Sequence, residues 1–265
     1  MQADSPAVKL AIAGLDVRFG DRRVVDIDEL HVGEAEIVGL AGESGSGKSM
    51  TTLAVLGLAH TVGATVRGSI RLDGTELTGL SQRELRDLRG RRIAAIFQSP
   101  ATAFSPVFQV GSVVHRALRL HGMTRAEATG AAERAMRQVL LPPGLLERYP
   151  SQLSGGQLQR VAIALALALR AEVLLADEPT SALDVTVQAE VLELLRELRD
   201  RARMSVLFIS HDLAVVAELC DRVAIMRQGS IIEQGATSQV ITAPASPYTA
   251  ELLASVPRLA AGAGQ

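Results

Sequence analysis

The sequence predicts an α/β fold: a mostly parallel sheet covered by helices, an N-terminal antiparallel β portion, and an inserted helical subdomain. Three observations carry the parallel sheet and the insert. Short apolar runs at Ile37–Ala41, Ile93–Phe97, Val173–Ala176 and Ser205–Ser210 are each the length of one buried strand. Helical patterns follow several of them. From about residue 99 to 165 strand patterns stop and only helical ones continue.

In order, Lys9–Phe19 alternates as a half-buried strand. Ile37–Ala41 runs straight into a glycine loop, and a helix is expected over Ser49–Leu58. Ser69–Leu72 and Ile93–Phe97 are predicted as strands, Val110–Leu120 and Arg125–Leu140 as helices of the insert. A helix is expected to begin near Gly156. Strand–helix alternation then resumes with Val173–Ala176, Val185–Arg201, Ser205–Ser210 and Leu213–Leu219. Val187, Val191, Leu194, Leu195 and Leu198 form an apolar stripe on the Val185–Arg201 helix, the face expected to meet the core. A single domain over residues 1–265 is expected, with a disordered Ala/Gly-rich tail over 258–265.

Hydrophobic residues make up 48% of the chain, enough for a sizeable core. A formal net charge of -2 offers no bulk attraction to nucleic acid, so no nucleic-acid partner is expected. Met1–Pro6 lacks the pattern of a signal peptide. The most apolar run, Val161–Leu169, falls short of the roughly 20 residues of a membrane-spanning helix. Cys220 is the sole cysteine, which excludes an internal disulfide and fits a reducing, cytosolic compartment; it is expected to pack as a helix residue.

Gly42-Glu43-Ser44-Gly45-Ser46-Gly47-Lys48-Ser49 fits G-x-x-x-x-G-K-[ST] and lies between a strand and a helix, the context that gives the motif meaning. Its glycines let successive N–H groups face phosphate oxygens, and the following helix adds its positive end. Lys48 is expected to reach the β- and γ-phosphates of ATP, and the Ser49 hydroxyl to ligate Mg²⁺. Of 27 basic residues only Lys9 and Lys48 are lysine. A compact ammonium suits a phosphate cradle that a planar guanidinium would overfill.

Val173–Ala176 ends in Asp177-Glu178. A buried strand there delivers Asp177 to the magnesium shell and Glu178 to the attacking water. Ser154-Gly155-Gly156-Gln157, at a helix start, forms a second anion site, redundant unless it faces another molecule's nucleotide. His211 follows a strand, where a neutral imidazole can bond the γ-phosphate, and Gln98, after Ile93–Phe97, can touch both metal and water.

Together these residues resemble the nucleotide-binding subunit of an ATP-binding cassette (ABC) transporter, with a P-loop NTPase core, over nearly the whole chain. The glycine loop, Gln98, the signature Leu153–Gln157, Asp177-Glu178, the turn Ser181-Ala182-Leu183-Asp184 and His211 follow in the family's order. Phe19 lies where the family places an aromatic that stacks on adenine. The resemblance implies a head-to-tail pair, each ATP held between one subunit's Gly42–Ser49 and the other's Ser154–Gln157, with Asp184 nearby. It also implies two membrane-spanning permease subunits, a second ATPase subunit (a paralogue, or a copy of this chain), an extracytoplasmic substrate-binding protein, and a place on the cytoplasmic face of the membrane.

Phe97–Val107 and the tail Ala243–Leu253, with its Pro247-Tyr248-Thr249 helix start, resemble the peptide/nickel importer branch. Peptides, or nickel and metal chelates, are the cargoes implied. Relatives often continue into a Cys-bearing extension; here no cysteine follows Pro257, so no iron–sulfur cluster is expected. A soluble ABC ATPase of repair or translation fits less well. Only about a hundred residues part Lys48 from Ser154, too few for long coiled coils, and the chain carries one cassette. An exporter subunit stays open as an alternative, while a P-loop kinase would leave the signature and His211 unexplained.

Overall fold

The computed structural model describes residues 7–98, 103–181 and 183–255. The expected tail (258–265), Ser99–Thr102 of the glutamine-loop segment, and Ala182 lie outside the described residues.

The first two strands, β1 (Val8–Phe19) and β2 (Arg22–Gly33), pair antiparallel and extend through β4 (Thr65–Leu72) to the short β5 (Thr75–Glu76). In β1 the buried face switches phase: Leu10 and Ile12 are inside, then Leu15 and Val17. Gly14 makes the switch, with φ 57° and a register shift against β4 between Ala13 and Asp16. It is a bulge, and the extra residue restores the apolar set to the core side.

The second part of the sheet is parallel. Strands β9 (Arg222–Arg227), β3 (Ile37–Ala41), β8 (Ser205–Ser210), β7 (Val173–Asp177) and β6 (Ile93–Ile96) lie side by side in that order. β10 (Ser230–Ala236) runs antiparallel to β9 and touches β2 through the single pair Ser230–Asp26, joining both parts into a ten-stranded sheet. Every residue of β3, β7 and β8 is buried, as befits strands covered on both faces. Their side chains alternate between two cores. Ile37, Leu174, Ala176, Val206 and Phe208 enter one. Val38, Leu40, Val173, Leu175, Leu207 and Ile209 enter the other, with Val55 of α1 (Lys48–Val55) and the apolar face of β1 and β2.

Between β6 and β7 the described chain holds α3 (Val110–Leu120), α4 (Arg125–Gln138) and α5 (Gly155–Ala168), with 3-10 turns but no strand. α6 (Val185–Ala202) buries Val191, Leu192, Leu194, Leu195 and Leu198, the expected stripe with Leu192 in place of Val187. α2 (Gln82–Leu88), α7 (Leu213–Leu219), α8 (Thr237–Thr242) and α9 (Pro247–Ala254) complete the order. Cys220 is buried, one residue beyond α7. Among the described residues no helix is long and apolar enough to cross a membrane.

Several boundaries differ from expectation. The helix expected over Ser49–Leu58 stops at Val55, and the turn after it needs Gly57 at φ 63°. The strand expected over Ser69–Leu72 begins four residues earlier, at Thr65, because it completes the ladder against β1. β2, β9, β10 and α2 were not anticipated. The parallel strands β3, β6, β7 and β8 all present their C-terminal ends along one edge, where open α/β sheets place ligands.

Candidate nucleotide site

The glycine loop leaves the end of β3 and closes onto α1. Two of its glycines are demanded by contact. A Cβ on Gly42 would stand 2.1 Å from the Met226 carbonyl oxygen, and one on Gly47 would stand 2.8 Å from the Val24 carbonyl oxygen. Both have positive φ, 153° and 109°. The turn between β9 and β10 holds the loop from behind, the Gly229 N–H donating to the Ser46 carbonyl at 2.9 Å.

Lys48 is 5% exposed, and its ammonium donates to the carbonyls of Gly42 and Glu43, both at 2.7 Å, and to Ser46 Oγ at 3.3 Å. Burial holds its pKa below the ordinary lysine value, while Glu178, Asp177 and Glu43 pull the other way. Next to it, Ser49 Oγ donates to Asp177 Oδ1 at 3.1 Å. Asp177 is 4% exposed and burial pushes its carboxyl up, against the Ser49 hydrogen bond. A buried carboxylate paired with a hydroxyl is an all-oxygen donor set, the kind a hard divalent cation takes. Ser49 and Asp177, two of the three residues expected to ligate Mg²⁺, therefore fit it.

Glu178 follows with φ 49°. The left-handed region costs a non-glycine residue roughly 1–2 kcal/mol. Its N–H is fixed on the Ile209 carbonyl of β8 at 2.9 Å. The turn aims the carboxylate sideways into the cleft, where Gln98 Nε2 donates to one oxygen at 2.8 Å and His211 Nδ1 lies 2.9 Å from the other. Strand ends of β6, β7 and β8 thus converge on one carboxylate.

A cleft of about 620 Å³ holds these groups together: Phe19, Glu43, Ser44, Gly45, Gly47, Lys48, Ser49, Gln98, Glu178 and His211 line it. Val24, Met50 and Leu252 line it too, and the sequence reading missed all three. Met50 directly follows Ser49, whereas nothing local marks Val24 or Leu252. Phe19 is 38% exposed at the end of β1, as an aromatic meant for a ligand would be.

Ser154–Gln157 and Asp184 do not line this cleft. Ser154 caps α5 by a capping box: its Oγ accepts from the Gln157 N–H at 3.2 Å, and its own N–H donates to Gln157 Oε1 at 2.9 Å. Gln157 therefore has a local structural duty, and only Ser154 and Gly155 of the turn are exposed. Gly156 is buried against α6, where a Cβ would stand 2.2 Å from Val187 Cγ1. Gly156→Ala should cost about 1–3 kcal/mol by overpacking. A thermal melt should recover most of that loss in Gly156→Ala/Val187→Ala. Asp184 caps α6, its Oδ1 accepting from the Val187 N–H at 3.0 Å.

The family model for the ABC transporter matches residues 25–181. The glutathione import ATP-binding protein GsiA of Salmonella typhimurium is 45% identical over 96% of this chain, which spans only 43% of that protein's length. The probable peptide ABC transporter ATP-binding protein y4tR of Sinorhizobium fredii is 47% identical over 86% of this chain and 69% of its own. Among solved structures, the dimeric bacterial ABC transporter cassette MJ0796 superimposes with a TM-score of 0.74 at 27% identity, covering 86% of this chain and 98% of that one. The same cassette is known in a dimeric post-hydrolysis state with ADP and Pi. CbiO1 of Clostridium perfringens, at 24% identity and a TM-score of 0.78, shares the fold over 96% of this chain and 97% of its own. On the family match and the y4tR relationship, the chain belongs to the ABC transporter family.

Proposed function

We propose that the chain is the ATP-binding and ATP-hydrolysing subunit of an importer, energising uptake of peptides through partner permeases. The observation that carries this is the convergence of four strand ends on one cleft: the glycine loop after β3, Gln98 after β6, Glu178 after β7 and His211 after β8, with Asp177 just behind, bonded to Ser49.

In this reading the N–H groups of Gly45–Ser49 and the N-terminus of α1 hold the phosphates of ATP, and Phe19 stacks on adenine. Lys48 exchanges its bonds to the Gly42 and Glu43 carbonyls for the β- and γ-phosphates. Ser49 and Asp177 would hold Mg²⁺, with Gln98 as a further oxygen donor, and the ion would neutralise charge on the phosphate oxygens. Glu178 accepts the proton of the attacking water as its oxygen bonds to the γ-phosphorus and the bond to ADP breaks. His211 and Gln98, already on the two oxygens of Glu178, orient that carboxylate and meet the γ-phosphate as it enters.

Ser154, Gly155, Gly156 and Gln157, with Asp184, lie outside this cleft and serve the ATP of a second cassette, which in turn closes the site at Gly42–Ser49. That second subunit is a paralogue or a copy of this chain. Opening and closing of the pair passes to two membrane-spanning permeases through the helices after Gln98, on the cytoplasmic face of the membrane. An extracytoplasmic binding protein selects the cargo. The kinship with y4tR and GsiA supports peptides, glutathione being a tripeptide. Nickel or a metal chelate is the alternative. Titrating the cognate binding protein with short peptides, glutathione, nickel and nickel chelates tests the cargo. Saturable binding of peptides alone is expected, and a preference for nickel or its chelates would overturn that choice.

A further inference from the structure

The helix α9 reaches the nucleotide cleft from the far end of the described chain, and three contacts hold it there. Glu233 of β10 accepts from the N–H groups of Ala245, at 2.7 Å, and Ser246, at 3.1 Å, just ahead of the helix. Burial works against the Glu233 carboxylate, but Thr249 and these two N–H groups hold its pKa below the usual value. Tyr248 is 7% exposed, and the Arg227 guanidinium stands over its ring, 4.4 Å from the centroid. Arg227 ends β9, and the turn beyond it grips the glycine loop through the Gly229–Ser46 bond. Tyr248 also lies beside Glu43 of that loop; burial and the Glu43 carboxylate push its phenol up.

Tyr248 and Leu252 are one turn apart on the same helix face. Fixing the first fixes the second, and Leu252 lines the cleft with Phe19, Val24 and Met50. The glycine loop and Lys48 offer recognition to phosphates alone; a purine nucleoside gains only by leaving water for apolar surface.

We propose that Leu252 is a positioning residue for the nucleoside half of the nucleotide, giving base and ribose a second apolar surface besides Phe19, with Tyr248 and Arg227 locking α9 to the loop. This rests on the reading of the cleft as an ATP site. α9 thereby becomes part of nucleotide recognition.

Calorimetric titration of the full chain with ADP and, separately, with inorganic tripolyphosphate, both with Mg²⁺, separates the two halves of the ligand. Leu252→Ala should weaken ADP binding about three- to tenfold, the worth of a partly buried aliphatic contact, and leave tripolyphosphate within about twofold. Leu252→Met should restore ADP affinity. Equal affinities of Leu252→Ala and the parent for ADP would overturn the inference alone. Equal weakening for both ligands would overturn it too, showing that Leu252 merely supports the loop. A parent chain that binds neither ligand would overturn the nucleotide-site reading and the inference together. Should Leu252→Ala melt below the assay temperature, Leu252→Thr carries the same comparison.

Discussion

Glu178→Gln is expected to bind ATP within about threefold of the parent while steady-state hydrolysis falls about 10²- to 10⁴-fold, the range set by loss of a positioned general base. The substitution keeps shape and one carbonyl oxygen, so at least one of the contacts from Gln98 and His211 can persist. What it removes is the ability to take a proton. The left-handed backbone at Glu178 should be unaffected, since its N–H bond to Ile209 is made by the main chain. Nucleotide binding by filter retention, alongside phosphate release, reads both quantities. Undiminished phosphate release would mean that the proton goes elsewhere and that the convergence on Glu178 is structural.

Lys48→Ala has the second large effect, on binding. Charge-assisted hydrogen bonds contribute about 1.5–3 kcal/mol each, so losing the ammonium should weaken ADP, which offers only its β-phosphate, by about 10- to 100-fold, and ATP by more. The carbonyls of Gly42 and Glu43 lose their donor as well, so the loop should be looser. Lys48→Arg keeps the charge but should recover little of the affinity. The side chain is nearly buried, and a guanidinium needs width that the Gly42–Ser46 cradle does not offer. Equilibrium dialysis with ADP compares all three. Parent-like affinity in Lys48→Ala would place the nucleotide outside this loop.

Much of the site was legible because its chemistry is local. Gly42–Ser49 combines a strand end, a loop and a helix start within a dozen residues, and Asp177-Glu178 ends a run too apolar to be anything but a buried strand. The turn at Ser154 was legible for the same reason, as a serine before a helix. Other features depend on contacts across the fold. Nothing in the sequence shows that Glu178 adopts φ 49°, because that turn is imposed by Ile209 on the neighbouring strand. Gly156 looks like part of an anion-binding turn, and only the packing of α5 on α6 reveals Val187 where its Cβ would be.

β2 escaped detection because its alternation, regular over Val25–Asp28, breaks at the pair Asp28-Glu29 opposite the change of phase in β1, which hides its period. β9 is set by its parallel pairing with β3, which no short window contains, and β10 then folds back on β9 across the two-residue turn Gln228-Gly229. Leu252 is the furthest case: about two hundred residues beyond the glycine loop in sequence, yet a wall of the same cleft.

A structure of the Glu178→Gln chain with ATP and Mg²⁺ is the decisive measurement. The triphosphate is expected along Gly42–Ser49, with Lys48 moved from the Gly42 and Glu43 carbonyls onto the β- and γ-phosphates. The cation is expected against Ser49 and Asp177, and the base between Phe19 and α9. A nucleotide bound elsewhere, or one bound in the cleft while Lys48 stays on those two carbonyls, would contradict that placement.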